Sequence, residues 1–376
     1  MDIDALQTTL ANTSAPNVLA IAALQPEVAN DPRRIRWAEL PMPDKPISLI
    51  ERPAESITVA AFRGIEEGRR ERDWLKTFDG KRIPFPQGEN PEHIELVRRK
   101  LPPQLRHLEG FFSKKASTKL PPSRPGHDVV LELNRPIVGQ PARYNTPFAY
   151  MELERETIRE LADCGFIEKC DKMPATAAST LFVPKKDTKE RRFCVDYRFI
   201  NDFITKRLVT APDVPGTIAR VGRAKRLSKI DIIRAFNRLL VDVGSRYLTA
   251  FRTRFGTYQW KVLPFGLSVG PAWFQALINA QLNELLDSIA SAYADDVLIF
   301  TEEEDEDSHF EAVEEVIYRL HGAELQGDIK KSAFNVTDTG YLGMRLEVGK
   351  GVSIDPEKIR AITEWSCDDV NSRQAV

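Results

Sequence analysis

Two adjacent acidic residues lie in the middle of an apolar stretch of the chain. Asp295 and Asp296 follow an aromatic residue and an alanine, and apolar residues dominate 289–292 and 297–300 on either side. Adjacent carboxylates are costly to bury as charges, whereas a tight hairpin tip would present their hard oxygens to a cation such as Mg²⁺. The pattern therefore predicts a cation-binding hairpin tip. A surface turn with two acids is the alternative, because so short a motif has little specificity.

A third acid closes another apolar segment. Apolar and polar residues alternate along 227–232, with Asp231 near the end. This pattern predicts a buried strand that ends at an acidic residue. If this strand lies beside a hairpin at 291–300, Asp231 and Asp295 can hold two metal ions about 3.5–4 Å apart and support an in-line displacement at a phosphate. A strand-end aspartate that only caps the next turn is the alternative.

Helices and strands succeed one another in a pattern typical of an α+β fold. Amphipathic helices are predicted at 151–163, where Gly165 suits a C-cap, and at 305–320, where acids in the first turns suit the helix dipole. A further helix is predicted at 271–286 and another near 356–365. Strands are predicted at 181–183, 193–195, 227–232, 247–252, 258–263, 332–336 and 341–346. These elements favour helices packed on an antiparallel sheet.

The charge of the chain is balanced overall but unevenly distributed. The 376 residues carry 53 Lys and Arg against 55 Asp and Glu, a net charge of -2. Residues 181–261 hold seven Lys and twelve Arg against six Asp and one Glu. Such a basic block suits a polyphosphate partner, because neutralised phosphates release counterions. A solvated basic surface is the alternative.

Composition excludes several classes of protein. The chain has no apolar run of the roughly 18 residues that a membrane span requires, and its N-terminus lacks the features of a signal peptide. Four Cys and five scattered His offer no zinc-ligand spacing. We expect an intracellular, soluble protein without a membrane partner, cytoplasmic or particle-associated rather than secreted, with reduced thiols.

A series of motifs, in order along the chain, resembles the reverse transcriptases of gypsy-type long-terminal-repeat retrotransposons. The motifs are LPPSRP (120–125), GFI (165–167), LFVPKKD (181–187), RFCVDYR (192–198), SKID (228–231), TAFRT (249–253), VLPFGL (262–267), PAWFQ (271–275), YADD (293–296), KKS (330–332), YLG (341–343) and DPEK (355–358). Each is weakly specific alone, but their shared order is highly specific.

The resemblance implies a right-hand polymerase fold, in which fingers and a palm with an antiparallel sheet are followed by a truncated thumb. Residues 1–100 have frequent Pro and no sustained apolar periodicity, which predicts a partly disordered leader or linker. In the resemblance, 101–164 would be an entry segment with the first fingers helix. The fingers and palm would span 165–346, and the start of the thumb 347–376.

The resemblance also implies roles for matching residues. The catalytic carboxylates would be Asp231, Asp295 and Asp296, which hold two Mg²⁺ ions, with Mn²⁺ as a substitute. Nucleotide binding would fall to Lys185, Arg192, Phe236, Phe265, Gly266, Gln275 and Lys331, and the primer grip to Tyr341, Leu342 and Gly343.

Each nucleotide-binding role has a stated chemistry. Lys185 and Arg192 would grip the triphosphate, since a point charge and a planar fork both suit phosphate. Phe236 would exclude a 2′-hydroxyl. Phe265 and Gly266 would form the floor of the pocket. Beside them, the resemblance implies a template-side contact by Gln275 and assistance to the leaving pyrophosphate by Lys331 or Lys330. Taken singly, these residues have plainer interpretations as a solvated basic turn, a core phenylalanine or an exposed lysine.

Some segments depart from the family pattern. Arg234, Asn237 and Gly270 stand where the family has other residues, and residues 140–144 are a loose version of its basic segment. Asp338 begins a triplet, DTG, that resembles the active site of aspartic proteases; we assign this triplet to a turn rather than to a protease.

The resemblance implies an RNA-directed DNA polymerase that extends a primer on an RNA or DNA template with deoxynucleoside triphosphates. Two alternatives stay open. One is a catalytically weak or inactive relic that binds nucleic acid, and the other is a different two-metal phosphoryl-transfer enzyme, such as a DNA-templated polymerase.

Overall fold

The computed structural model describes residues 82–124, 126–172, 174–184, 191–207, 209, 213–354 and 360. Most of the predicted leader, the tip of the hairpin that follows residue 184 and the predicted helix near 356–365, apart from residue 360, lie outside the described residues. No helix in the described part of the chain combines the length and the apolar character that a membrane crossing needs.

The described residues form six α-helices, several short 3₁₀ segments and three sheets. The α-helices are α1 (Pro91–Lys100), α2 (Met151–Asp163), α3 (Arg198–Asn201), α4 (Val214–Val221), α5 (Gly270–Leu282) and α6 (Glu306–Gly322). Short 3₁₀ segments include Pro103–Phe112, Ala116–Thr118, Phe148–Tyr150, Ala235–Arg238 and Val243–Thr249. The strands are β1 (Ile167–Lys169), β2 (Ala178–Pro184), β3 (Arg191–Val195), β4 (Arg226–Asp231), β5 (Phe251–Thr253), β6 (Gly256–Trp260), β7 (Ala290–Tyr293), β8 (Asp296–Thr301), β9 (Ala333–Val336), β10 (Asp338–Tyr341), β11 (Met344–Glu347) and β12 (Gly351–Ile354).

A four-stranded antiparallel sheet carries the predicted acids. Its strand order is β7-β8-β4-β9, so the predicted hairpin lies directly beside the predicted strand. β4 and β8 are buried along most of their length, because α5 and α6 cover the sheet. Asp305 caps α6 through its carboxylate, which accepts a hydrogen bond from the Ser308 N–H at 3.0 Å.

A five-stranded sheet forms a separate layer. Its order is β1-β6-β5-β2-β3, with β2 and β5 parallel and the other pairs antiparallel. The predicted hairpin at 181–195 corresponds to β2 and β3, whose register joins Val183 to Arg192. The predicted helix at 151–163 is α2, and Gly165 follows it with φ 72°, as the C-cap prediction requires.

A three-stranded sheet, β10-β11-β12, includes the DTG triplet. The prediction of a turn at Asp338 is wrong, because residues 338–341 pair with 344–347. The turn instead falls at Leu342 and Gly343, whose φ angles of 52° and 73° give the two left-handed positions of a tight hairpin turn. The side chain of Asp338 pairs with Arg345 at 2.7 Å.

Two further predictions need correction. In the segment predicted as a strand at 247–252, the residues up to Thr249 belong to the 3₁₀ helix Val243–Thr249. Asp242 caps the start of this 3₁₀ helix, because its carboxylate accepts a hydrogen bond from the Gly244 N–H at 2.8 Å. Only β5 follows as a strand. The helix predicted at 271–286 ends at Leu282. In addition, α1 lies inside the predicted leader and buries Val97.

A buried histidine makes stability depend on pH. His309 is fully buried and its two ring nitrogens lie 2.8 Å from the hydroxyls of Ser228 and Thr301. Burial lowers the pKa of His309 to about 4, and the charge of Arg226 adds to this effect. The unfolded chain binds the proton at about pH 6.5, so His309 destabilises the folded state as pH falls below that value.

We expect His309 to remove about 3 kcal/mol of folding free energy between pH 7 and pH 4. Urea unfolding of the wild type and of His309→Gln at both pH values measures this contribution, because the variant lacks the titrating group. Identical pH dependence in the two proteins would contradict the prediction.

Candidate active site

Asp231 and Asp296 face each other across two neighbouring strands. Asp231 ends β4, Asp296 begins β8, and the register makes the two residues direct partners. Directly opposite residues of an antiparallel pair project to the same face, with Cβ atoms about 4.5–5.5 Å apart. The convergence that the sequence predicted for this strand and this hairpin is therefore present.

Asp295 lies in the turn that joins β7 to β8. Its side chain is exposed, and its carbonyl accepts a hydrogen bond from the Ile232 N–H at 2.9 Å. The turn is tight because Ala294 adopts φ 50°, a conformation that costs a residue with a Cβ about 1 kcal/mol or more. Neighbouring groups must therefore hold the turn in place.

Gln275 of α5 supplies that support. Its Oε1 accepts from the Ala294 N–H at 2.8 Å, and its Nε2 donates to the Ala292 carbonyl at 3.0 Å. The side chain is buried. The structure thus places Gln275 beneath the acidic turn. Its contact with a template or nucleotide stays a prediction, whereas its contact with the turn was not anticipated from the sequence.

Replacing Gln275 with Leu should disturb the turn, since the variant leaves a buried N–H and a buried carbonyl without partners. We expect a loss of about 1–3 kcal/mol in the free energy of unfolding. We also expect at least a tenfold fall in deoxynucleotide incorporation, because small displacements of reacting groups are costly. Urea unfolding and primer extension measure the two effects, with Gln259→Leu on β6 as the matched control. Wild-type incorporation by the Gln275 variant would contradict this prediction.

Two lysines cover the acids. Lys331 Nζ lies 3.1 and 3.2 Å from the two carboxylate oxygens of Asp231. Lys229 Nζ lies 2.9 Å from Asp296 Oδ1 and donates to the Gly340 carbonyl at 3.0 Å. Lys331 was predicted to assist pyrophosphate, and its contact with Asp231 places it at the site. The role of Lys229 was not predicted from the sequence. Its position could have indicated this role, because a residue two positions before Asp231 on a strand lies on the same face.

The pKa of Asp231 reflects these surroundings. Burial raises the pKa of Asp231 to about 6, Lys331 lowers it, and Asp295 and Asp296 raise it. Burial of the Asp231 carboxylate beside two other acids therefore carries an energetic cost, which Lys331 offsets only in part. A cation beside the three acids would relieve this cost.

The donor set fits a hard divalent cation. Three carboxylates at the end of a strand and in the adjoining turn provide the oxygen ligands that Mg²⁺ prefers. Within the described ranges, no three acidic, histidine or cysteine side chains are already arranged to hold a metal ion, and lysine ammonium groups occupy positions against Asp231 and Asp296. Asp231, Asp295 and Asp296 are the residues that would hold the cation once those lysines move aside.

Three aromatic rings lie together beside α5. The half-buried ring of Phe236 lies 4.9 Å from the ring of Phe265 and 6.2 Å from that of Phe274, measured between centroids. Asn201 fixes the neighbouring loop, since its Nδ2 donates to the Gly266 carbonyl at 2.9 Å. A Cβ on Gly266 would lie 3.1 Å from the Val195 carbonyl oxygen, and its φ is 101°. The structure therefore brings Phe236, Phe265 and Gly266 together, as a pocket wall would require.

Arg192 and the predicted primer-grip residues lie on two hairpins. Arg192 is exposed on β3, and Lys185 lies outside the described residues. Tyr341 is buried, and its hydroxyl lies 3.1 Å from Ser291 Oγ on β7. Burial raises the pKa of Tyr341 to about 12. The contact between Tyr341 and Ser291, together with the hydrogen bond from Lys229 to Gly340, attaches the hairpin turn at 342–343 to the hairpin of β7 and β8.

Known proteins share this sequence pattern. A family model described as reverse transcriptase (RNA-dependent DNA polymerase) matches residues 183–346. The retrovirus-related Pol polyprotein from transposon opus of Drosophila melanogaster is 33% identical over 217 residues, which are 57% of this chain and 21% of the polyprotein. The transposon Tf2-3 polyprotein of Schizosaccharomyces pombe is 27% identical over 266 residues, 70% of this chain and 20% of the polyprotein. The chain thus spans about a fifth of the length of these curated relatives.

Solved structures share the fold. The foamy viral protease-reverse transcriptase in complex with an RNA/DNA hybrid matches with a TM-score of 0.57 and 22% identity, over 75% of this chain and 39% of that one. Its complex with double-stranded DNA matches with a TM-score of 0.55 and 23% identity, over 75% and 60%. These likenesses confirm the predicted right-hand polymerase architecture. Residues 183–346 therefore match the reverse transcriptase family, and the opus and Tf2 relatives that share this region are transposon polyproteins.

Proposed function

We propose that this chain is an RNA-directed DNA polymerase, which adds deoxynucleotides to the 3′-hydroxyl of a primer by two-metal phosphoryl transfer. The observation that carries the proposal is the pairing of Asp231 with Asp296 across β4 and β8, with Asp295 in the adjoining turn. The family match supports the reaction class.

The three acids would hold two Mg²⁺ ions, for which Mn²⁺ would substitute. When bound, the ions activate the attacking hydroxyl and neutralise charge on the transferred phosphate and the leaving pyrophosphate. Gln275 and the turn at Ala294 orient Asp295. Lys331 and Lys229 balance the charge of the acids before substrate arrives, and Lys331, more exposed than Lys229, is then free to turn toward pyrophosphate.

Substrate binding would use the surrounding elements. Phe236, supported by Phe265, would sit beneath the sugar and exclude a 2′-hydroxyl. Lys185 and Arg192 would hold the triphosphate. The hairpin turn at 342–343, anchored by Tyr341, would hold the primer. Each assignment is a proposal that is supported by the family match, which includes all of these residues.

The proposed partners are an RNA or DNA template with its primer, and deoxynucleoside triphosphates. Foamy viral protease-reverse transcriptase has been solved with an RNA/DNA hybrid and with double-stranded DNA, and the basic block at 181–261 of this chain suits the same kind of partner. We assign 165–346 to fingers and palm, 101–164 to the entry segment and first fingers helix, and 347–376 to the start of the thumb. The reduced thiols Cys164, Cys170 and Cys194 suit an intracellular enzyme, in the cytoplasm or in a particle.

Primer extension tests the proposed function. The wild type should incorporate deoxynucleotides on a homopolymer RNA template with Mg²⁺, and a double variant, Asp295→Asn with Asp296→Asn, should not. Equal incorporation by the two proteins would refute the proposal. A DNA template on the same primer separates the RNA-directed from the DNA-templated reaction, since a polymerase that copies only DNA would fail on the RNA template.

A further inference from the structure

The three-stranded sheet packs against one face of β4. Residues at alternate positions of a strand project to the same side, so Leu227, Lys229 and Asp231 share this face. Leu227 belongs to a small buried cluster that also contains Tyr341 and Leu346 of the three-stranded sheet. Asp231, two residues beyond Lys229, belongs to the acidic site. Lys229 therefore lies at the boundary between an apolar interface and the acids.

The ammonium group of Lys229 has an acceptor on each side of this boundary. It lies 2.9 Å from Asp296 Oδ1 and donates to the Gly340 carbonyl at 3.0 Å. Gly340 belongs to β10, which pairs with β11 to form the β10–β11 hairpin, residues 338–347. Lys229 is therefore a direct connection between a proposed metal ligand and this hairpin.

A second contact holds the same hairpin without any charge. The Tyr341 hydroxyl lies 3.1 Å from Ser291 Oγ on β7, and Thr217 Oγ1 of α4 donates to Ser291 Oγ at 3.1 Å. All three residues are buried. The hairpin thus has a neutral attachment at Tyr341 and an ionic attachment at Gly340. Only the ionic attachment depends on what occupies Asp296.

The two lysines beside the acids differ in their freedom to move away. The side chain of Lys331 is 62% exposed, whereas that of Lys229 is only 18% exposed. Lys331 can turn into water when a cation approaches Asp231. Lys229 has less access to water, and a partly buried ammonium group that loses its counter-ion carries a desolvation cost. A cation at Asp296 must therefore compete with Lys229, and displacement of the ammonium also disturbs its bond to Gly340.

We propose that Lys229 is a positioning residue, which couples the occupancy of Asp296 by a divalent cation to the attachment of the β10–β11 hairpin. While Asp296 is free of a cation, Lys229 holds the hairpin at Gly340. When Asp296 takes up a cation, the Lys229 ammonium leaves it, and the hairpin is held by Tyr341 and the apolar cluster. Linkage requires the reverse effect as well, so a firmly attached hairpin weakens cation binding. The inference rests on the proposed function for the presence of a cation at Asp296.

Binding of Mn²⁺ to the protein without nucleotide or primer tests one half of the coupling. Electron paramagnetic resonance measures the free Mn²⁺. Lys229→Met retains an apolar stem but removes the ammonium group, and it should bind Mn²⁺ roughly five- to tenfold more tightly than the wild type. Lys225→Met is the matched control, because Lys225 forms an exposed pair with Glu304 at 3.8 Å. Its Mn²⁺ affinity should stay within about twofold of wild type, since solvent screens exposed charges.

Hydrogen exchange measured by mass spectrometry tests the other half. In the wild type, Mn²⁺ should make the backbone amides of residues 338–347 exchange roughly fivefold faster, because the hairpin loses one attachment. In Lys229→Met these amides should exchange faster from the start and should not respond to Mn²⁺. Asp296→Asn removes the other partner, and its hairpin should behave in the same way. Lys331→Met should keep the wild-type response, because Lys331 contacts Asp231 rather than the hairpin.

Three results would overturn the coupling. The first is a wild-type hairpin that exchanges equally with and without bound Mn²⁺. The second is Mn²⁺ binding by Lys229→Met no tighter than by the wild type, since Lys229 would then not compete with the cation. The third is a wild type that binds no Mn²⁺. If Lys229→Met does not fold, exchange in Asp296→Asn decides the matter, and a hairpin protected as in the metal-free wild type would contradict the proposal.

The coupling and the polymerase activity can fail separately. Absence of primer extension, together with an Mn²⁺-dependent hairpin exchange that requires Lys229, would refute the polymerase and leave the coupling. Active extension by a protein whose hairpin does not respond to Mn²⁺ would refute the coupling alone.

Discussion

Replacing Asp231 with Asn is expected to lower deoxynucleotide incorporation by roughly a thousandfold or more, since the variant removes a carboxylate from the proposed two-metal site. Steady-state primer extension on a homopolymer template measures the loss. Asp338→Asn is the matched control, because Asp338 is exposed and pairs with Arg345 on a different sheet. Incorporation within tenfold of wild type by the Asp231 variant would remove this residue from the proposed chemistry.

The same variant should fold more stably. Burial holds the pKa of Asp231 at about 6, above the value of about 3.9 in an unfolded chain. Folding therefore favours the protonated acid, and this contribution to stability is lost as pH rises through about 6. At pH 8 the variant should gain about 1–3 kcal/mol over wild type, and at pH 4 the difference should be small. Urea unfolding at both pH values measures it; a variant less stable at pH 8 than wild type would contradict the argument.

Replacing Gly110 with Ala is expected to cost at least about 3 kcal/mol of folding free energy. An added Cβ would lie 2.2 Å from the Pro84 carbonyl oxygen and 2.6 Å from that of Ile83. Both contacts are with backbone, which cannot turn aside as a flexible side chain can. The Gly110 N–H also donates to the Ile83 carbonyl at 2.8 Å, so the clash would break a contact that joins the two segments.

The Gly110 change should also disturb the position of Asp231. Phe111 and Phe112, next to Gly110, are fully buried, and the Phe111 carbonyl accepts from the Gly327 N–H at 3.1 Å. The following residue, Asp328, donates its N–H to the Asp231 carbonyl at 2.7 Å. The entry segment is thus packed against the backbone that supports Asp231.

Urea unfolding and primer extension measure the two consequences of the Gly110 change. Gly340→Ala is the control for stability, because an added Cβ there meets no atom within 4 Å, and it should change the free energy of unfolding by no more than about 0.5 kcal/mol. A Gly110 variant as stable as this control would show that the close approach to Pro84 is not essential.

Strong local patterns allowed most elements to be predicted. The helix at 151–163 was predicted from a partial apolar stripe and the C-cap glycine, and the hairpin at 291–300 from an acidic pair between apolar flanks; both are present. The strand predicted at 247–252 failed because an aspartate cap, rather than side-chain alternation, decides the backbone there. The turn predicted at Asp338 failed because its pairing with 344–347 is a contact that local composition does not reveal.

The sequence by itself predicted the family and the α+β class, because many motifs follow one another in the family's order. It also singled out the three acids, since adjacent carboxylates among apolar residues are costly to bury. Only the tertiary structure decided which groups support and neutralise them. The contact of Gln275 with the turn, and the contacts of Lys229 with Asp296 and Gly340, each join residues more than fifteen positions apart in the sequence. Such long-range contacts leave no periodic signal along the chain, since they are selected by packing rather than by local conformation.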